Sequence, residues 1–273
     1  MRSLPLLLAL LLAASPSLPA SDTAAAAAAR RLVAERSDAV VVVRATVSMT
    51  VSAGDQPSQS QDRAVETLGT VVSPDGLVIV SAAAIDPGAM ADGRTVQTPG
   101  GPLRLSVVSD VKEVFIVLAD GTELPAKVAI KDKDLNLALL GPVAKPSQPL
   151  VALDRWAELP LKVADEVVVL GRLGKGMERA PRADIDQVCA VISKPRPLAV
   201  IHLPYPGCPV LDLEGRLAGI TSAKPEPDDM EGGQGLGMTP VVVPVPTLRR
   251  FLEAGAKALA APASAPAPAP AAK

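Results

Sequence analysis

Short apolar runs, cut at close intervals by turns that contain glycine or proline, leave this chain little room for anything but short antiparallel strands. Ala39-Val40-Val41-Val42-Val43 is an unbroken apolar run dominated by β-branched valine, the pattern of a strand buried on both faces. Strands are expected at 67–73 and 77–81, joined by Ser73-Pro74-Asp75-Gly76, where proline second and glycine fourth suit a type I turn. A second hairpin is expected over 111–118 and 123–130 around Asp120-Gly121, followed by a short strand at 135–140. Residues 52–63 and 86–102 read as loops. The second half repeats the texture, with strands expected at 163–170, 187–193, 198–203, 210–213 and 216–220 and an extended stretch at 240–246. Helical spacing of Leu248, Phe251 and Leu252 marks a closing helix over 247–257, with Thr247 as its N-cap.

Two comparable halves flank a proline-containing linker at 141–148, which fits an all-β molecule of two antiparallel barrels. The expected division is a leader at 1–20, an Ala-rich, partly ordered helical segment at 21–37, and a first barrel at 38–145. The second barrel with its closing helix follows at 146–259, then an extended, disordered Ala/Pro tail at 260–273. The leader has Arg2, a brief leucine-rich run and Ala20 at a cleavage point, the layout of a secretory signal. Export to a bacterial periplasm or beyond is the expectation, with no membrane anchor left after cleavage.

Composition removes several function classes from a chain of 273 residues. A formal net charge of −2 without a long basic run argues against nucleic acid or an anionic membrane as partner. Aromatic residues make up 1% of the chain, so recognition of sugars or bases by stacking has almost nothing to work with. One histidine and two cysteines cannot build a zinc site, and no cofactor is expected. Cys189 and Cys208 leave two readings open in an oxidising compartment, a disulfide or two separate buried thiols.

The segment from Pro204 to Ile220 carries the most information about function. Val210–Leu213, the turn Glu214-Gly215 and the return strand from Arg216 read as a hairpin. Ahead of it, Gly207, Pro209 and Val210, with Gly215, Gly219 and Ile220 beyond, match the segment around the nucleophile of HtrA/Deg-type, trypsin-like serine proteases. The chain resembles that family elsewhere and in the same order. Gly69-Thr70-Val71-Val72-Ser73-Pro74-Asp75-Gly76 looks like the hairpin that leads to the catalytic histidine. Asp132-Lys133-Asp134-Leu135-Asn136-Leu137 looks like the stretch that holds the aspartate, and 243–252 resembles the closing strand and helix. The likeness runs from about Arg31 to Glu253; the PDZ domain that often follows in the family has no counterpart in the sequence.

The resemblance implies two barrels with a catalytic cleft between them and a Ser-His-Asp triad in the cleft. It puts the histidine at Ala83, the aspartate at Asn136 and the serine at Pro206. Its oxyanion donors fall at Pro204 and Pro206, and proline has no N–H to donate. Losing one such donor costs roughly 3–4 kcal/mol of transition-state stabilisation. The implied function is therefore a secreted pseudoprotease, not an enzyme, that binds an extended peptide or an envelope protein. Two rival readings are an endopeptidase with substitute residues, Cys208 and His202, and a structural envelope protein. Without a partnered base a thiol keeps a high pKa, and His202 reads better as a satisfied strand residue. The Gly171–Gly176 segment lacks the ending of a phosphate loop and reads as a surface turn; Glu226, Asp228, Asp229 and Glu231 read as a solvated loop.

Overall fold

The computed structural model describes residues 23–53, 58–88, 92–93, 95–98, 101–203, 205–225 and 238–260. The leader, the acidic cluster at 226–231 and the tail after residue 260 lie outside the described residues. The first sheet contains β1 (Val40–Ala53), β2 (Gln59–Val71), β3 (Val78–Ser81), β4 (Thr95–Thr98), β5 (Gly101–Val117), β6 (Glu123–Asp132) and β7 (Leu137–Pro142). Its order is β1-β2-β3-β7-β6-β5, and β5 pairs back onto β1, so six strands close into a barrel with β4 attached to β5. The valine run of β1 is buried on both faces: Val40 points into the core between the sheets, while Val41 and Val43 fill the barrel.

The second sheet contains β8 (Glu166–Arg172), β9 (Pro181–Gln187), β10 (Ala190–Ile192), β11 (Leu198–Val200), β12 (Pro209–Leu211), β13 (Leu217–Pro225) and β14 (Met238–Pro244). Its order is β10-β11-β14-β13-β12-β8-β9, with no pairing between the two outer strands. This is a half-barrel, and with the first barrel and a C-terminal helix it makes the all-β, two-barrel architecture that the sequence implied. Among the described residues three α-helices accompany the sheets: α1 (Ala24–Arg36), α2 (Ala82–Ile85) and α3 (Val245–Ala260). Among the described residues no helix is long and apolar enough to cross a membrane.

Several element bounds differ from expectation. Residues 59–63 continue β2 and pair with β1, although they are exposed polar residues without an apolar alternation to announce a strand. Their backbone pairing with a long neighbour, not side-chain burial, makes them extended. For the same reason β4 lies within the expected loop at 86–102, paired with β5. Helix α1 is packed rather than loosely ordered: Thr23 Oγ1 caps the Ala26 amide at 3.1 Å, and Ala25, Ala28, Ala29 and Leu32 are buried. Helix α3 starts at Val245, two residues before Thr247, because Val245 is itself buried on the face that carries Leu248 and Phe251.

The largest core lies between the sheets. Ile79, Leu137 and Leu139 of the first meet Val168, Leu170, Leu211 and Leu217 of the second, sealed by Leu32 and Phe251. Each such fully buried side chain contributes on the order of 1.5–3 kcal/mol. Packing leaves no slack at Gly219, where an added Cβ would lie 2.3 Å from Val242 Cγ1 and 2.6 Å from the Val243 carbonyl oxygen. Gly219→Ala should lower the unfolding free energy by about 1–3 kcal/mol in urea melts. Gly176→Ala, where a Cβ meets nothing within 4 Å, should stay within about 0.5 kcal/mol of the parent.

Candidate functional site at the cleft between the sheets

Asn136 ends the turn between β6 and β7 in a left-handed conformation, φ 51, that asparagine tolerates better than most residues. Its side chain is buried and fully engaged. Oδ1 accepts from the Ala83 amide at 2.8 Å, and Nδ2 donates to the Ala223 carbonyl at 3.1 Å. Its own carbonyl accepts from the Ala82 amide at 3.1 Å. One residue thus ties the start of α2 in the first sheet to β13 in the second. Ser222 strengthens the tie by donating from Oγ to the Leu135 carbonyl at 2.7 Å.

Pro206 and Gly207 form the corner of a turn, with Gly207 at φ 88, the pairing of proline and left-handed glycine that a type II turn favours. Thr221 organises this turn. Its hydroxyl accepts from the Cys208 amide at 2.8 Å and bonds to the Tyr205 carbonyl, while its backbone carbonyl accepts from the Gly207 amide at 2.8 Å. From the first sheet, Thr70 Oγ1 donates to the Gly207 carbonyl at 2.8 Å. A Cβ on Gly207 would lie 2.5 Å from the Leu68 carbonyl oxygen and 3.4 Å from the Ser81 amide, directly before α2. Arg182 stacks on the Tyr205 ring at 4.2 Å, and its hydrogen bond to Asp184 holds the guanidinium even more firmly charged than usual. The structure therefore brings Ala83 and Asn136 into contact and seats the Pro206 turn against the strand that runs into α2. Pro204 lies outside the described residues.

The proposed substitutes fare differently. Asp186, buried in β9, accepts from the His202 and Leu203 amides at 3.0 Å each and faces His202 Nδ1 at 3.1 Å. The imidazole is otherwise exposed, a strand-end side chain oriented by a carboxylate. Cys208 is fully buried, and loss of solvent pushes its thiol up to about 12, leaving almost no thiolate near neutral pH. In this structure the two cysteines are both free, Cys208 buried and Cys189 exposed. Cys208 packs beneath β8 near Gly171, whereas Cys189 is exposed and donates to the Val200 carbonyl at 3.2 Å. Among the described residues no group of three or more His, Cys, Asp or Glu is placed to hold a metal ion.

Thr70, Thr221 and Ser222 escaped sequence reasoning. Their signal was the polar interruption of otherwise apolar strand segments, Gly-Thr-Val-Val and Gly-Ile-Thr-Ser, whose hydroxyls must find partners once buried.

No protein-family model and no curated protein sequence matches the chain. Among solved structures it is similar to the Rv3671c protease of M. tuberculosis. The active form shares 21% identity over 81% of this chain and 82% of that one, with a TM-score of 0.51. The inactive form shares 20% identity over 82% and 93%, with a TM-score of 0.49. The first likeness establishes the trypsin-like fold. It also corrects one expectation: the placing of this chain outside the enzymes is overturned, because the fold is that of a named protease in its active form.

Two outcomes follow from the site geometry. Iodoacetamide at pH 8 should modify one thiol per native chain, at Cys189, and both only after unfolding; mass spectrometry reads the sites. Asn136→Asp should cost about 1–3 kcal/mol at neutral pH, because a carboxylate oxygen would replace the donor facing the Ala223 carbonyl. Burial and that carbonyl raise the new carboxyl's folded pKa, so the penalty should vanish below about pH 4 and grow as pH rises; urea melts across pH measure it.

Proposed function

We propose that this chain is an exported, HtrA/Deg-type relative of the trypsin-like proteases that acts by binding an extended segment of a peptide or envelope protein in the cleft between its sheets. The observation that carries the reading is the free edge of β2. That strand pairs with β1 from Gln59 to Thr70 but with β3 only over Gly69–Val71. Among the described residues the backbone from 59 to 67 thus has an unpaired outer edge that runs toward the Pro206 turn, and an added strand satisfies such an edge with main-chain hydrogen bonds.

The test uses purified protein and fluorescein-labelled peptides of unfolded casein. Saturable binding in fluorescence anisotropy is expected, together with slowed amide exchange along 59–67. Absence of saturable binding, or protection confined to other faces, would overturn the reading. The same samples treated with a fluorophosphonate probe report whether the shared protease fold also forms a covalent adduct.

A further inference from the structure

Beside the free edge of β2, the loop that joins β8 to β9 encloses a cavity of about 180 Å3 whose walls include Glu66, Thr67, Leu68, Arg172, Lys175 and Arg179. It adjoins the Pro206 turn, since Leu68 both lines it and turns its carbonyl toward Gly207. Its positive charge is only partly cancelled. Arg172 is spoken for: its Nη2 meets Asp38 at 2.8 Å and the Ser37 carbonyl at 2.9 Å, and its Nε donates to the Val40 carbonyl at 2.6 Å. Lys175 is exposed and has no ion-pair partner among the described residues. Arg179 donates from Nη2 to Glu66 Oε1 at 3.0 Å, yet its Nε is buried without any acceptor. Lys175 and Arg179 set against Glu66 leave one positive charge over.

The half-used guanidinium is the informative feature. An arginine presents Nε and one Nη as a fork that matches the two oxygens of a carboxylate, and here Glu66 takes a single prong. Native proteins rarely leave a buried donor unmatched. The backbone that delivers this side chain is also unusual, with Glu178 and Arg179 consecutive in the left-handed region at φ 55 and 51. Such conformations persist where the surroundings enforce them, and they concentrate at ligand sites. Here Arg172 Nη1 helps by donating to the Arg179 carbonyl at 3.3 Å.

We propose that this cavity is a carboxylate subsite of the cleft: an acidic group on the bound peptide displaces Glu66, takes the Arg179 fork and sits beside Lys175 at the mouth. The inference rests on the peptide-binding reading above and names the partner class as acidic. Two sources supply that chemistry, a glutamate or aspartate side chain and a chain-terminal carboxylate.

The experiment titrates 15N-labelled full-length protein with three probes: N-acetyl-Val-Ala-Glu amide, N-acetyl-Val-Ala-Gln as the free acid, and N-acetyl-Val-Ala-Gln amide. The Arg179 Nε–H resonance should shift saturably with a probe that carries a carboxylate and not with the neutral one; the side-chain and terminal arms reveal which source fits. Arg179→Gln should weaken the acidic probe at least about tenfold, as loss of a charge-assisted pair does. Glu66→Gln should tighten it by removing the internal competitor, an effect that a merely structural ion pair does not give. An unmoved Nε–H, equal binding of the neutral probe, or weaker binding in Glu66→Gln would each overturn the proposal. If casein peptides bind without acidic preference, the subsite fails while the cleft reading stands. If sodium acetate moves the Nε–H but no peptide binds, the cleft reading fails and the anion pocket remains.

Discussion

Three buried hydrogen bonds from side chain to backbone hold the two sheets of this molecule in register. Thr70 reaches the Gly207 carbonyl, Asn136 the Ala223 carbonyl and Ser222 the Leu135 carbonyl. Each crosses from one sheet to the other, and each lies where apolar packing excludes water. Apolar contact alone would glue the sheets together without fixing how they slide, because hydrophobic attraction has no direction. Buried polar contacts do have direction, and leaving one unmet costs about 1–3 kcal/mol. The seam thus converts a greasy interface into a defined one.

That seam also explains the state of the cleft. The polar groups nearest Ala83 and Pro206 are consumed by structure: both ends of the Asn136 amide, the Thr221 hydroxyl and the Gly207 amide all have partners within the fold. Gly207 cannot carry a side chain, since the Leu68 carbonyl occupies the space, so the Pro206 turn sits hard against the first sheet. Among the described residues, the outer edge of β2 and the Arg179 cavity lie outside this network.

Legibility in the sequence followed the type of interaction. The valine run of β1, the Pro74–Gly76 turn and the amphipathic face of α3 were readable because their pattern is local. The 59–63 extension of β2 and the whole of β4 were not, since both are extended by the neighbour they pair with and carry no local strand pattern. At the site, Ala83, Asn136 and Pro206 were located by resemblance to a family, while Thr70, Thr221 and Arg182 came into view only with the fold. Whether Cys189 and Cys208 pair was undecidable from sequence, because it depends on where the fold sets each one: Cys208 is buried beside Gly171, Cys189 exposed beside the Val200 carbonyl.

By itself the sequence determined an all-β chain in two halves, poor in aromatic residues, histidine and cysteine. Those are properties of residue type and local spacing, and they need no partner to be true. Tertiary structure alone decided that the second sheet stays open, that both thiols stay free, and that Arg179 is brought to Glu66 with half its fork unused. These are relations between segments far apart in the chain, fixed by packing and by the pairing of buried polar groups, and no local pattern encodes them.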